Sequence, residues 1–220
     1  MIDTIIFDLD GTLLDTLEDL TDSVNYAMER FGLPTHTLEA VRGFVGNGVA
    51  KLIERAIPQG PENPSYEAIL ETFKGHYAKH CEDKTRPYEG IIEALALLQK
   101  QEYHLAIVSN KFDGAVKQLC KKYFGEYISV AIGESDRVKR KPAPDTVYQA
   151  LRELGSDGSR AIYVGDSEVD LQTAQNAKLP CVSVTWGFRT KEQLLNAGAE
   201  LIIRTPQELP DLLARLQAEG

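Results

Sequence analysis

Five consecutive residues, Asp8-Leu9-Asp10-Gly11-Thr12, follow the short apolar run Thr4-Ile5-Ile6-Phe7. Two carboxylates one residue apart can serve as ligands for a hard cation, as a nucleophile with its acid/base partner, or as both. They can equally form an acidic turn ahead of a helix whose caps are Asp15 and Thr16. Three more polar clusters carry useful chemistry. Ser109-Asn110-Lys111 follows Leu105–Val108, Lys139-Arg140-Lys141-Pro142-Ala143-Pro144 comes a helix later, and Gly165-Asp166-Ser167-Glu168-Val169-Asp170 follows Ala161–Val164. Together these supply carboxylates for a divalent cation and for nucleophilic attack, a hydroxyl and N–H groups for phosphate oxygens, and a cation for developing charge. Phosphoryl transfer requires that set.

The elements that must position these groups are legible from periodicity. Residues 4–9 read as a buried strand, and side-chain alternation along it would send Asp8 and Asp10 to the same side. Leu17, Leu20, Val24, Ala27 and Phe31 recur at helical spacing, and Gly32 and Pro34 close that helix. The helical texture continues through Leu38/Val41, Val49/Leu52/Ile53/Ala56 and Ile69/Leu70/Phe73/Tyr77, broken by the proline-rich stretch Pro58–Pro64. From Pro87 onward, helical patterns alternate with the apolar runs 105–108, 128–132, 161–164, 181–184 and 201–203, and Leu209, Leu212, Leu213 and Leu216 mark a closing helix. Alternating strands and helices predict an α/β fold with a parallel, Rossmann-like sheet wound with helices. The first strand finds no parallel partner until after the helical block. The expected organisation is therefore a core domain of residues 1–15 and 86–220 interrupted by an all-α insert at 16–85, with hinges near 14–18 and 84–88.

Size and composition narrow the class. The chain has 220 residues, 43% hydrophobic and 26% charged, which suits a globular protein with a full core. Its 24 basic and 33 acidic residues give a net charge of −9, which argues against nucleic acid and anionic membranes as partners. No apolar run approaches the roughly 20 residues of a spanning helix, and no secretory signal is visible. Cys81, Cys120 and Cys181 are odd in number and dispersed, the pattern of a reducing compartment. The expectation is a cytoplasmic protein without disulfides or zinc, acting as monomer or homodimer.

The four clusters, in this order and over nearly the whole chain, resemble the haloacid dehalogenase-like superfamily in its branch with a helical cap. The resemblance implies that Asp8 is the nucleophile, forming an aspartyl-phosphate, and that Asp10 is the general acid and then base. It implies Mg2+ held by Asp8, Asp166 and the backbone carbonyl of Asp10. Ser109, with Asn110 beside it, would donate to the phosphoryl oxygens, and Lys141 would bridge nucleophile and phosphate. Asp170 would orient Lys141 or a metal-bound water. Gly11 would allow close backbone approach to the phosphate, with Thr12 beside it. Lys139 is the rival of Lys141, whose Lys-Pro-x-Pro setting favours it. Glu168 reads as a helix-start acid without a catalytic task.

Substrate choice falls to the insert. Val41-Arg42-Gly43-Phe44-Val45-Gly46-Asn47-Gly48-Val49 can present N–H groups to an anion, or can be a plain helix–helix turn. The stretch is similar to the substrate loop of phosphoglycolate phosphatase-like enzymes, and Trp186-Gly187-Phe188-Arg189 resembles that group too. Arg42, Gly46 and Gly48 are the candidate contacts, Arg42 to a substrate carboxylate. The implied activity is Mg2+-dependent hydrolysis of a small phosphorylated metabolite. Alternatives are a pyrophosphatase, a 5′-nucleotidase, a β-phosphoglucomutase-like phosphomutase and a non-catalytic regulator. Dehalogenation is disfavoured, because dehalogenases of the superfamily lack the second acid at the position of Asp10.

Overall fold

The computed structural model describes residues 1–136 and 138–218. The chain divides into two compact units, residues 1–14 with 87–220 and residues 15–86, one residue outside the expected insert at each end.

The first unit is built on six parallel strands. In chain order they are Thr4–Phe7 (β1), then, after the two-residue strands Leu14–Asp15 (β2) and Arg86–Pro87 (β3) at the crossings, His104–Phe112 (β4), Val130–Glu134 (β5), Ala161–Gly165 (β6), Cys181–Val184 (β7) and Leu201–Ile203 (β8). Their order across the sheet is β5-β4-β1-β6-β7-β8. Every neighbouring pair is parallel, with Ile5 opposite Leu105 on one side and Ile162 on the other. The chain thus winds outward from β1 to β5, then returns to the far side of β1 and winds the other way. Such a reversal opens a crevice at the carboxyl ends of the central strands, where α/β sheets bind ligands.

Alternation along each strand feeds two apolar layers. Ile5, Phe7, Leu105, Ile107, Ile162 and Val164 join one, and Ile6, Ala106, Val108, Ala161 and Tyr163 join the other. Both faces are covered, so the strands read as continuous apolar runs rather than half-polar ones. The first layer is filled by Ile91, Leu95 and Leu98, by Val116, Leu119 and Phe124, and by Leu209, Leu212 and Leu213; the second by Val147, Ala150 and Leu151 and by Ala174 and Ala177.

The second unit carries four α-helices, Leu17–Arg30 (α1), Leu38–Phe44 (α2), Val49–Ala56 (α3) and Tyr66–His80 (α4), with a short 3-10 turn at Gly60–Glu62 inside the proline-rich stretch. In α1, Leu17, Leu20, Val24 and Ala27 are buried, and α1 packs on α4 through Ile69, Phe73 and Tyr77. Thr37 caps α2 by accepting the Ala40 N–H at 3.2 Å. Asp19, buried within α1, accepts the backbone N–H groups of Lys84 at 3.0 Å and Thr85 at 2.8 Å, which satisfies its charge and fastens the returning chain to α1. Among the described residues, no helix is long and apolar enough to cross a membrane.

Two boundaries differ from the sequence expectation. The first strand ends at Phe7 rather than residue 9, and the run beginning at Ile128 enters the sheet only at Val130. Strand β4 is longer than expected and runs through Ser109-Asn110-Lys111 to Phe112.

Candidate active site

The site forms where β1, β4 and β6 end. Because β1 stops at Phe7, simple alternation does not place Asp10. The Asp8 N–H still donates to the Val164 carbonyl at 2.9 Å, but the chain then folds into a tight turn closed by Leu14 N–H to Leu9 carbonyl and Gly11 N–H to Leu14 carbonyl, both at 2.9 Å. Asp8 and Asp10 consequently meet different partners.

Asp8 is buried and its Oδ1 lies 2.8 Å from Lys141 Nζ. The same ammonium reaches Asp170 Oδ1 at 2.7 Å and donates to the Tyr163 hydroxyl at 3.1 Å. Asp170 accepts in addition from the Tyr163 hydroxyl at 3.0 Å and from Ser167 Oγ at 2.6 Å, closing the start of the helix Glu168–Ala177. Its Oδ1 holds Lys141 and Tyr163, and its Oδ2 is taken up by Ser167. Lys139 is exposed and Lys141 buried, so burial separates the two rivals. Asn110 uses both ends of its amide on the Lys141 backbone, accepting its N–H at 2.7 Å and donating to its carbonyl at 3.0 Å. In the structure Asn110 is thus a brace for the lysine.

Asp166, 1% exposed, follows β6, the strand paired with β1. Phe188 N–H donates to its Oδ2 at 2.7 Å, and Thr12 Oγ1 approaches its Oδ1 at 3.5 Å. Thr12 is itself fully buried, and its carbonyl accepts the Trp186 indole N–H at 2.9 Å. The glycines here are demanded by crowding. A Cβ on Gly11 (φ +87°) would sit 2.4 Å from Asp166 Oδ2, and one on Gly187 would sit 2.2 Å from the Gly11 carbonyl oxygen. The space that Gly11 leaves is taken by the Asp166 carboxylate. Glu168 is more than a helix-start acid, since Arg189 grips it through Nε at 2.8 Å and a second guanidinium nitrogen at 3.0 Å.

Asp8, Asp166 and Asp170 each offer a carboxylate oxygen within 4.8 Å of the others. Burial, reinforced by Asp170, pushes the Asp8 carboxyl well above its ordinary range against the pull of Lys141. Burial and Asp170 likewise push Asp166 up to about 7. Burial works against the charge on Lys141, but Asp170 and Asp8 outweigh it and hold the ammonium firmly protonated. Three buried carboxylates against one buried lysine leave a deficit of positive charge. An all-oxygen donor set with that deficit suits a hard divalent cation such as Mg2+, which keeps several waters and takes few carboxylates.

Asp10 is partly buried and pairs through Oδ1 with Lys111 Nζ at 2.8 Å, while Ser109 Oγ lies 3.5 Å from its Oδ2. The Lys111 N–H donates to Ser109 Oγ at 3.1 Å. Sequence reasoning assigned no task to Lys111 or Tyr163. Lys111 stood inside a quoted cluster, whereas nothing in the pattern of β6 distinguishes Tyr163 from a core aromatic.

Within residues 15–86, Arg42 lies on α2 and pairs with Glu39 at 3.2 Å. Gly46 (φ +128°) and Gly48 (φ +83°) shape the link to α3. Arg55 of α3, unremarked in the sequence, pins that link by donating to the Phe44 carbonyl and to Asn47 Oδ1, each at 2.7 Å.

Residues 5–184 match the family described as haloacid dehalogenase-like hydrolase. The chain is 36% identical over 188 residues to a phosphoglycolate phosphatase of Mesorhizobium japonicum, covering 84% of this chain and 83% of that one. It is 29% identical over 213 residues to an N-acetylmuramic acid 6-phosphate phosphatase of Pseudomonas aeruginosa, covering 96% and 94%. Among solved structures it is similar to a proposed phosphoglycolate phosphatase from Lactobacillus delbrueckii subsp. bulgaricus, with TM-score 0.91, 36% identity and coverage of 94% and 96%.

Proposed function

The chain belongs to the haloacid dehalogenase-like hydrolase family, and from that premise we propose that it is a Mg2+-dependent phosphatase of a small phosphomonoester, 2-phosphoglycolate first among candidates. The observation that carries the reading is the Lys141 ammonium, 2.8 Å from Asp8 and 2.7 Å from Asp170, beside a second buried carboxylate in Asp166.

In this reading an Asp8 carboxylate oxygen attacks phosphorus, forming the aspartyl-phosphate as the bond to the ester oxygen breaks. Asp10 gives its proton to the departing oxygen, then takes one from the water that attacks the same phosphorus, releasing phosphate and restoring Asp8. Lys141 neutralises the crowding of nucleophile and phosphoryl oxygens, held by Asp170, Tyr163 and Asn110. Ser109 Oγ donates to the phosphoryl oxygens. Asp8, Asp166 and the Asp10 carbonyl would hold Mg2+, which offsets charge on the phosphoryl group when bound. Arg42, Gly46 and Gly48 form the proposed substrate loop of the helical cap.

Phosphate release with Mg2+ across 2-phosphoglycolate, pyrophosphate, β-glucose 1-phosphate, N-acetylmuramic acid 6-phosphate and nucleoside monophosphates tests the proposal. One substrate should exceed the rest a hundredfold in kcat/KM, about 2.7 kcal/mol of transition-state preference. Asp8→Asn should remove roughly 10³-fold or more of that activity without unfolding the chain. Turnover that survives Asp8→Asn overturns the mechanism. Arg42→Ala should weaken 2-phosphoglycolate selectively, and an equal loss on every substrate removes Arg42 from the loop's contacts.

A further inference from the structure

His76 and His80 stand one turn apart on α4, both half-buried, and the reaction above uses neither. Residues four apart lie side by side on one helix face. Their rings stack with centroids 4.3 Å apart, and Tyr26 of α1 adds a third ring 4.1 Å from His76. Each imidazole already spends Nδ1 on an oxygen, His76 on Ser23 Oγ at 3.0 Å and His80 on Asp83 Oδ2 at 2.8 Å. An imidazole that donates from Nδ1 keeps a lone pair on Nε2, and an outer oxygen orients metal-binding histidines in that way. The two rings line an open cleft of about 520 Å³ whose walls include Asp22, Glu29 and Asp83 and, among the described residues, no lysine or arginine. Lys84 reaches Asp22 at 2.7 Å, so Glu29 and Asp83 supply the negative charge there. A helix C-terminus favours a cationic side chain by its dipole. That explains neither the pairing of the two rings nor the matched use of Nδ1.

We infer that His76 and His80 chelate a transition dication of the Zn2+, Ni2+ or Cu2+ class through their Nε2 atoms, at a site built wholly within residues 15–86 that shares no ligand with Asp8, Asp166 and Asp170. Imidazole selects these ions, whereas Mg2+ takes oxygen. Two metal–nitrogen bonds of about 2.0–2.1 Å reach across roughly 4 Å at most. Rings with centroids 4.3 Å apart need only a small tilt to converge on one ion. Asp83 stays outside the metal and fixes the His80 ring, and water fills the positions that two nitrogens leave. An ion that binds the folded helix and not the unfolded chain stabilises residues 15–86.

The test titrates Zn2+ into the full chain by calorimetry at neutral pH with Mg2+ in excess, beside His76→Gln, His80→Gln and, as control, His104→Gln on the exposed start of β4. The native chain should bind Zn2+ with micromolar affinity. Each of the first two variants should weaken that binding roughly tenfold or more, and His104→Gln should leave it unchanged. Asp83→Ala, which keeps both ligands but frees the His80 ring, should also cost about tenfold. With Cu2+ as the probe, electron paramagnetic resonance should show coupling to two imidazole nitrogens in the native chain and to one in either variant, a signature that a folding defect does not produce. A native chain that binds no Zn2+ overturns the inference. So does binding that survives both single variants, because the ion then sits on other residues. Loss in only one variant leaves a single imidazole and overturns the chelate. The phosphatase reading is tested separately, by turnover, and stands or falls apart from these outcomes.

Discussion

Under the proposed function, Asp166 is the single residue at which protonation and metal binding would be coupled. Its carboxyl, held up to about 7 by burial and Asp170, keeps a proton that the unfolded chain loses near 3.8. The unfolded state therefore binds fewer protons between those values. The contribution of Asp166 to the stability of the metal-free fold is full below about 4 and is lost as pH rises toward 7. A cation binding there must displace that proton. Mg2+ affinity, followed by calorimetry, should climb by up to about tenfold per pH unit below 7 and level off above it. A flat profile from pH 6 to 8 would contradict the assignment of Asp166 as a ligand.

At the scale of elements, the loop after β7 is a clamp on the β1 turn. Trp186 reaches the Thr12 carbonyl, Phe188 N–H holds Asp166, and Arg189 ties the loop to Glu168 at the start of the helix that follows β6. Gly187 permits this closeness, and Gly187→Ala forces its Cβ onto the Gly11 carbonyl and the Asp166 side chain. The variant should lose about 1–3 kcal/mol of stability and need more Mg2+ for half-maximal turnover. Thermal unfolding and a Mg2+ titration of rate would read the two effects. The α2–α3 link, shaped by Gly46 and Gly48, is pinned in addition by the Arg55 side chain. Arg55→Ala removes the bonds to Phe44 and Asn47, so KM for the preferred substrate should rise severalfold with kcat nearly unchanged. A fall in kcat alone would mean that the link does not contact substrate.

On the scale of the whole molecule, each unit has its own apolar interior. The sheet is sandwiched between two layers, while Phe73, fully buried on α4, anchors residues 15–86. Phe73→Ala should cost about 3–5 kcal/mol by cavity formation. Hydrogen exchange should quicken across α1 and α4 and stay slow in β1, β4 and β6, since the defect lies in one core. Uniform loss of protection in both units would show that they unfold as one. Among the acidic residues behind the net charge of −9, Asp8, Asp166 and Asp170 are gathered at the crevice with Lys141.

The α/β class, the parallel strands and much of the crevice were legible in the chain, because buried parallel strands leave continuous apolar runs and three of those runs end in a polar cluster. Asp8, Asp10, Ser109 and Asp166 could be picked out on those grounds, Lys141 only through its Lys-Pro-x-Pro setting and the family resemblance, and the structure brings them to one sheet edge. Pairing could not be read, because it depends on which strand ends meet, across separations from 21 residues for Arg189 and Glu168 to 101 for Lys111 and Asp10. Of the two partners the resemblance left open for Asp170, the tertiary structure pairs it with Lys141; only that structure added Tyr163 to the lysine, turned Asn110 into a brace, gave Glu168 to Arg189 and set Lys111 on Asp10. Nor could alternation foresee that β1 ends at Phe7, since the turn that separates Asp8 from Asp10 closes through backbone hydrogen bonds that leave no periodic trace in side chains. Residue type carries chemistry and local pattern carries direction, but the partner of a buried charge is decided by the whole fold, where desolvation makes the wrong neighbour costly.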